Sequence, residues 1–542
     1  MLCTTQYSCI TCFVFFSAES TRFSLASDTK NVVPVINGIP SSEEKVVPSL
    51  ELVNQLKRLQ DQIKNNSKPI SLSEAIKLGL QNNPQLAASF SEIQNFEWEL
   101  IAAQRKWYPN ISIRGENPFI GTTWATRVID EYGLPAETAK NLRKQGVSNG
   151  TPFNRKRATK GRNSVINANA AMNWDFIDPT RQPNINAAAD SLKQQKLLFD
   201  SSARSIILSI QQLYFAIQSS QQNIGSFQQI YEINQKQLEM LEAQKSIGMA
   251  TVLEVEQTRS QLYLQLNELI NYTNSYYQQA AQLAEQLALP VNQLAIPDQP
   301  AQTQGKWEVP LNETIRMAIE QREEIKASLA AAESANWRSV ALLRQYLPTF
   351  SLVASGALAR EDGYSEVKVD ADPANSYLLD KRWDARVGIS FNWQIFDGGI
   401  FAAQAQSQKA QAQQNFSKAV ADELQVTKEV RTSFGDYQTS LVLVTSARQA
   451  YRSAELAQEA ARARYEVGID NITTVVSTLT ALASAAQLLS AAVLQHNTAV
   501  VSLYRYSSTW PGSSQQEVQD RLKTLRDSPQ PSPANSLTRL EP

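Results

Sequence analysis

Trp383-Asp384-Ala385-Arg386-Val387-Gly388-Ile389-Ser390-Phe391-Asn392-Trp393 alternates without interruption: every odd position is apolar or aromatic, and every even position is charged, polar or glycine. Side chains leave a strand on opposite faces in turn, so this pattern specifies a strand with one greasy and one wet face. A soluble half-wet sheet has the same pattern. A tryptophan at each end and a length near the ~9–11 residues of an outer-membrane strand favour the membrane alternative. The stretch runs on through Gln394-Ile395-Phe396-Asp397-Gly398-Gly399 into a segment free of proline up to Trp510.

The same text occurs earlier in the chain. Asn173-Trp174-Asp175-Phe176-Ile177-Asp178-Pro179 matches 392–398, an offset of 219 from Trp174 to Trp393, and Ile247-Gly248-Met249 matches Val467-Gly468-Ile469. Upstream, Leu72-Ser73-Glu74-Ala75-Ile76 returns as Leu311-Asn312-Glu313-Thr314-Ile315, an offset of 239 from 72 to 311 that also joins Trp98 to Trp337 and Pro109 to Pro348. The first half therefore carries a loop about 20 residues longer between its two strands. Two long copies imply a protomer with internal pseudo-symmetry rather than a solenoid.

The reading divides the chain as follows. Residues 1–26 form a signal segment, with an apolar run Ile10 to Phe16 but no positive charge before Arg22. Residues 27–70 are a polar linker with a short helix. Residues 71–290 are the first repeat, with strands about 110–116 and 164–174 and long helices 179–247 and 250–288. Residues 291–309 are a linker, and 310–506 are the second repeat, with strands about 349–359 and 383–393 and helices 398–466 and 470–505. A polar tail, 507–542, follows. Ser71 with Glu74 has capping-box spacing, Asn83-Pro84 ends one helix and begins the next, and Asp178-Pro179 is read as cap and first turn. Gly248 and Gly468 are expected to turn each helix pair in the left-handed conformation. Beyond the turns, apolar residues step by three and four from Val252 to Leu287, and from Ile472 to Leu503, the spacing of a coiled coil. Arg259, Thr273 and His496 interrupt these seams.

Composition narrows the function. With 51 basic and 52 acidic residues there is no overall field to attract nucleic acid. Cysteine is confined to Cys3, Cys9 and Cys12, and His496, the sole histidine, lies on a seam, where packing explains it. No zinc pattern, phosphate loop or nucleophile elbow is present, so neither an enzyme nor a cofactor or metal is expected. No segment after the signal has ~18 consecutive apolar residues, which argues against a helical membrane protein and leaves a β-barrel open. Lys140, Arg143, Lys144, Arg155, Lys156, Arg157, Lys160 and Arg162 form a basic run in the longer loop, and the second hairpin carries Glu361, Asp362, Glu366, Asp370, Asp372 and Asp380. Solvated loops are the plain reading; complementary packing or contacts to lipid phosphate are the sharper ones.

The order helix, strand, strand, very long helix, glycine turn, long helix, given twice over Ser71 to Tyr506, resembles the TolC family of outer-membrane efflux proteins. The resemblance rests on Asn82-Asn83-Pro84, Tyr108-Pro109, Tyr346-Leu347-Pro348, the 393–399 motif and Tyr465-Glu466-Val467-Gly468-Ile469. It implies an α+β membrane protein: outer-membrane strands continued by a periplasmic helical coiled-coil barrel, as a homotrimer. It further implies a passive exit duct for efflux or type I secretion. The expected partners are a periplasmic adaptor (membrane fusion) protein, an inner-membrane ABC or proton-driven pump, and outer-membrane lipid. A non-transporting coiled-coil envelope scaffold or adhesin is the alternative. By the same resemblance Ile247, Gly248, Met249, Val467, Gly468 and Ile469 form the adaptor-docking tip, and Trp174, Trp383 and Trp393 mark the barrel interfaces. Glu254, Tyr465, Asp470, Thr474 and Ser477 fall at the periplasmic gate. There the family's arginine position is Asp470, which suggests carboxylate repulsion, and its aspartate rings fall on Thr474 and Ser477, which suggests weaker block by divalent cations.

Overall fold

The computed structural model describes residues 49–132, 136–146, 154–369 and 372–509. Residues 1–26, read as a signal segment, the first half of the linker (27–48) and the tail beyond Thr509 lie outside them. The chain divides into a short unit, Met1–Leu52, of which only the start of the first helix is described, and a unit Val53–Pro542 that holds everything below. In chain order the elements are α1 Ser49–Asn65, β1 Ser67–Ile70, α2 Leu72–Asn82, α3 Pro84–Arg105, β2 Asn110–Tyr132, α4 Ala136–Lys144, β3 Asn154–Ile177, α5 Arg181–Ser246 and α6 Val252–Gln286. There follow β4 Leu294–Pro297, α7 Leu311–Gln321, α8 Glu323–Leu343, β5 Thr349–Val369, β6 Asp372–Asn392, α9 Ile400–Glu466 and α10 Ile472–Tyr506.

Four strands form one antiparallel sheet in the order β2-β3-β5-β6. They have 23, 24, 21 and 21 residues, two to three times what the alternating segments suggested. The reason is that beyond Trp383 apolar and polar residues fall on both faces, as at Tyr377-Leu378-Leu379-Asp380, so periodicity fades while ladder hydrogen bonding continues. Cross-strand pairs such as Thr122 with Ser164, whose hydroxyls lie 3.0 Å apart, and Tyr364 with Tyr377, 5.1 Å between ring centroids, hold this upper part. The basic run is therefore not a loop. Its first members lie on α4 and the rest on β3, where Lys160 stands opposite Glu366.

Asp397 and Asp178 shape the entries to the long helices. Asp397 Oδ1 accepts from Gly399 N at 2.8 Å and Oδ2 from Phe401 N at 2.7 Å, while Asp178 Oδ1 accepts from Thr180 N at 2.9 Å. Pro179 consequently sits in the turn before α5 rather than in its first turn. α5 and α9 contain 66 and 67 residues, about 100 Å each at 1.5 Å per residue. The stepped residues of α6 and α10 are largely buried: Val255, Leu262, Leu266, Leu269, Thr273, Ala280 and Leu283 on one, Ile472, Val475, Leu479, Leu482, Ala486, Val493, His496, Val500 and Leu503 on the other. Two positions depart, since Val252 is exposed and Arg259 pairs with Glu242 at 2.7 Å. α10 is long and apolar enough by composition to cross a membrane. Its apolar seam instead packs along α9 and α5. Buried His496 holds Nδ1 3.1 Å from Ser440 Oγ and lies against Tyr437, and burial lowers its pKa from the usual value.

An ionic junction, absent from the sequence reading, ties four helices. At the α7–α8 turn Arg322 takes the place that Asn83 holds between α2 and α3. Asn83 caps α3 with its side chain, accepting from Gln85 N and Leu86 N. Arg322 instead reaches Glu324 at 2.9 Å and Glu429 of α9 at 3.1 Å; Arg505 of α10 meets Glu324 at 2.6 Å, and Arg204 of α5 meets Glu323 at 2.8 Å. Burial alone would raise the Glu324 pKa, but the Arg505 and Arg322 guanidiniums and the Ser201 hydroxyl bring it down to about 2. A carboxylate so held stabilises the fold above its ordinary pKa of 4.5, and that contribution is lost as pH falls from there toward 2. Glu324→Gln should cost about 3 kcal/mol near neutral pH, because it leaves buried guanidinium charge uncompensated. In denaturant unfolding at several pH values the deficit should shrink below pH ~4.5; a deficit independent of pH would show that charge is not its cause.

Candidate functional site

Directly opposed residues share a face, so register sorts the sheet into two surfaces. One runs through the rows Trp174, Leu352, Ile389; Met172, Ala354, Val387; Ala170, Gly356, Ala385; and Ala168, Leu358, Trp383. β2 adds Ile111 and Ile113 to the second and third rows. This face is apolar and open, with Val387 79 % and Ile389 72 % exposed. The next row, Ile166, Arg360, Lys381, introduces charge, and Tyr364 and Tyr377 lie two rows beyond. The opposite surface carries Asn169, Ala357, Asp384; Ala171, Ser355, Arg386; and Asn173, Val353, Gly388. A sheet of this kind separates an apolar medium from a polar one.

Trp174 and Trp393 join the sheet to the helices. Each indole N–H donates to a backbone carbonyl at 2.9 Å, Trp174 to Trp107 and Trp393 to Tyr346, which are themselves matched positions. Arg181 stacks on the Trp107 ring, 4.2 Å from its centroid, and Tyr346 donates its hydroxyl to Asp397 Oδ1 at 2.8 Å. Trp383 stands at the other edge of the apolar band and is exposed.

At the far ends of the long helices, both turns close in the same way. Gly248 and Gly468 have φ of +76° and +75°, a region that costs a β-carbon dearly. Met249 N donates to Gln244 O at 2.8 Å and Ile469 N to Arg464 O at 2.9 Å, so each last turn ends on a six-residue backbone bond. The four flanking side chains point outward: Ile247, Met249, Val467 and Ile469 are 70 %, 76 %, 70 % and 68 % exposed.

The residues assigned to the gate lie beside these turns and are held by local bonds. Tyr465 donates its hydroxyl to Gln244 Oε1 at 3.0 Å, tying the end of α9 to the end of α5; burial first, and then the charge of Glu254, raise its pKa. Glu254 closes a capping box with Thr251, accepting from the Thr251 backbone N at 2.7 Å, and its pKa is lowered by that bond. Asp470 accepts from Thr474 Oγ1 at 2.9 Å and Asn471 N at 3.0 Å and pairs with Arg464 at 3.3 Å; these bonds, the threonine's first, lower its pKa. Within the chain each acid is thus held by groups of its own turn. Ser477 donates to Thr474 O at 2.9 Å and is exposed. Gln244 and Arg464 were missed in the sequence, although they occupy matched positions four residues before each glycine. Among the described residues no cluster of three metal-ligating side chains occurs.

Comparison with known proteins agrees with this geometry. The profile of the outer membrane efflux protein family matches residues 75–288 and 314–508. Outer membrane protein TolC of Escherichia coli K12 is 24 % identical over 305 residues, 55 % of this chain and 60 % of the relative, so the match spans less than two thirds of that protein. TolC of Vibrio cholerae serotype O1 is 22 % identical over 383 residues, 68 % of this chain and 82 % of the relative. In fold, the chain is similar to the Campylobacter jejuni CmeC outer membrane channel, with a TM-score of 0.61 at 15 % identity over 84 % of this chain and 89 % of that one. It is also similar to the open state of the Neisseria gonorrhoeae MtrE outer membrane channel, at 0.57 and 13 % identity over 81 % and 89 %. Since the profile takes in most of the chain, in both halves, the protein belongs to the outer membrane efflux protein family.

Proposed function

We propose that the chain is the outer-membrane exit duct of a tripartite efflux or type I secretion system. In this reading three copies close a twelve-stranded barrel, and their long helices continue it as a coiled-coil tunnel into the periplasm. The observation that carries the reading is the sheet with one apolar face and two unpaired edges. From Trp393 to Trp383 the chain advances ten residue steps, about 33 Å along the strand axis and roughly 23 Å in height at a 45° tilt, which suits a lipid-facing band ~25 Å tall. Within lipid the free backbone groups along β2 and β6 would each cost several kcal/mol, so the sheet has to close. Four strands cannot enclose a pore, whereas repetition of the chain in a ring can. The two halves then act as similar staves.

The duct is passive. Energy would come from an ABC or proton-driven pump in the inner membrane, through a periplasmic adaptor seated on the exposed Ile247, Met249, Val467 and Ile469. Four large apolar side chains held outward on rigid turns are costly unless a partner covers them. Tyr465 and Gln244 hold the tip shut. A scaffold or adhesin would need neither the apolar face nor the conducting ring.

Three outcomes follow from this arrangement. Ile389→Arg, on the apolar face, should destabilise assembly by about 2–4 kcal/mol, while Ser390→Arg on the polar face should be tolerated; thermal dissociation of the oligomer in detergent measures both, and equal loss would remove the facing assignment. Tyr465→Phe and Gln244→Ala should each raise resting conductance in planar bilayers several-fold, as expected for losing a bond of ~1 kcal/mol per copy. Unchanged current in both variants would exclude this bond as the lock. Gly468→Val forces a β-branched side chain into left-handed backbone; it should abolish export and adaptor cross-linking while the oligomer persists, and normal export would move the docking site elsewhere.

A further inference from the structure

Within the chain, α8 lies along both α9 and α5, whereas α3 lies along α5 and no second long helix packs along it to a comparable extent. The contact of α8 with α5 is specific. Ser334 Oγ lies 2.8 Å from Ser191 Oγ and donates to Ala187 O at 2.9 Å, and Trp337 hydrogen-bonds the Asp190 carboxylate. Under this contact Ala187 is 3 % and Ser191 7 % exposed.

The sequence offsets that pair Trp98 with Trp337 and Trp174 with Trp393 carry each member of this contact to the other half. Ser334 and Trp337 of α8 become Asn95 and Trp98 of α3. Ala187, Asp190 and Ser191 of α5 become Gln406, Lys409 and Ala410 of α9. All five of these counterparts are exposed, Trp98 at 66 %. One face is thus built twice and covered once.

Building on the trimeric reading above, we propose that α3 of each copy packs along α9 of the next, seating Trp98 over Lys409 with Asn95 beside Ala410. The chemistry at the centre of the contact changes accordingly. An indole facing a carboxylate donates its N–H; an indole facing an ammonium offers its ring face, where the cation is attracted by the π quadrupole. Ala410 is small enough for close helix approach. The occupant is a second copy rather than another protein, because the missing surface is a repeat of one this chain already carries. The contact is head-to-tail, as a closed ring requires, and has the same sense as joining β6 of one copy to β2 of the next.

The test uses the full chain with Cys3, Cys9 and Cys12 replaced by serine. Copies carrying Asn95→Cys are co-expressed with copies carrying Ala410→Cys, then oxidised in membranes. Covalent dimers should form, and they should be absent when Ala410→Cys is replaced by Ala412→Cys, two residues on and about 200° round the helix. Trp98→Ala and Lys409→Glu should each lower the temperature at which the oligomer dissociates, and Lys409→Arg should restore it. A stable trimer by native mass measurement that gives no Asn95–Ala410 link, or links Ala412 equally well, overturns this interface while leaving the exit-duct reading intact. A chain that stays monomeric in every variant, wild type included, overturns the reading on which the interface rests.

Discussion

The structure depends on one constraint: a sheet that faces hydrocarbon cannot leave its edge hydrogen bonds unmade. β2 and β6 carry 23 and 21 residues at the two sides of a sheet whose surface is apolar enough for lipid. That combination is unstable for one chain in a bilayer, and the proposed ring relieves it by joining copies edge to edge. On that reading oligomerisation is part of the fold itself. The helices would follow the ring, because Trp174 and Trp393 bond the sheet to the carbonyls of Trp107 and Tyr346, at the ends of the shorter helices.

Away from the membrane the problem changes to holding long helices in register. The ionic junction of Arg204, Glu323, Arg322, Glu324, Glu429 and Arg505 meets it at one level. Buried ion pairs contribute little net stability relative to apolar packing, but a mispaired register would strand several charges, so they penalise slippage. The second half alone has this junction; the first uses the Asn83 cap at the corresponding turn. The tips need rigidity of another kind, which left-handed glycines and local capping bonds supply while leaving Ile247, Met249, Val467 and Ile469 exposed.

Much of this was legible in the sequence, for identifiable reasons. Unbroken alternation from Trp383 to Trp393 works because a bilayer demands a strict face. Proline-free runs and steps of three and four mark the long helices, and glycine at 248 and 468 marks the turns. Strand ends were not legible, because outside the apolar band no medium enforces alternation. Nor was the ionic junction, since Arg322-Glu323-Glu324 looks like any solvated run until α5, α9 and α10 are brought to it. Beside the tip turns, the local bonding was not legible: within the chain Asp470 meets its own Arg464 and Thr474. Sequence distance along one chain conveyed the positions, and only the folded turn conveyed which neighbour each acid would choose.

The central claim, that copies of this chain close around a continuous water-filled duct, is tested most directly by single-channel recording of the purified protein in planar lipid bilayers. The account predicts discrete, uniform conductance steps from a species whose native mass is three chains. Membrane-inserted protein of that mass that never conducts, even after Tyr465→Phe removes the bond to Gln244, would contradict it.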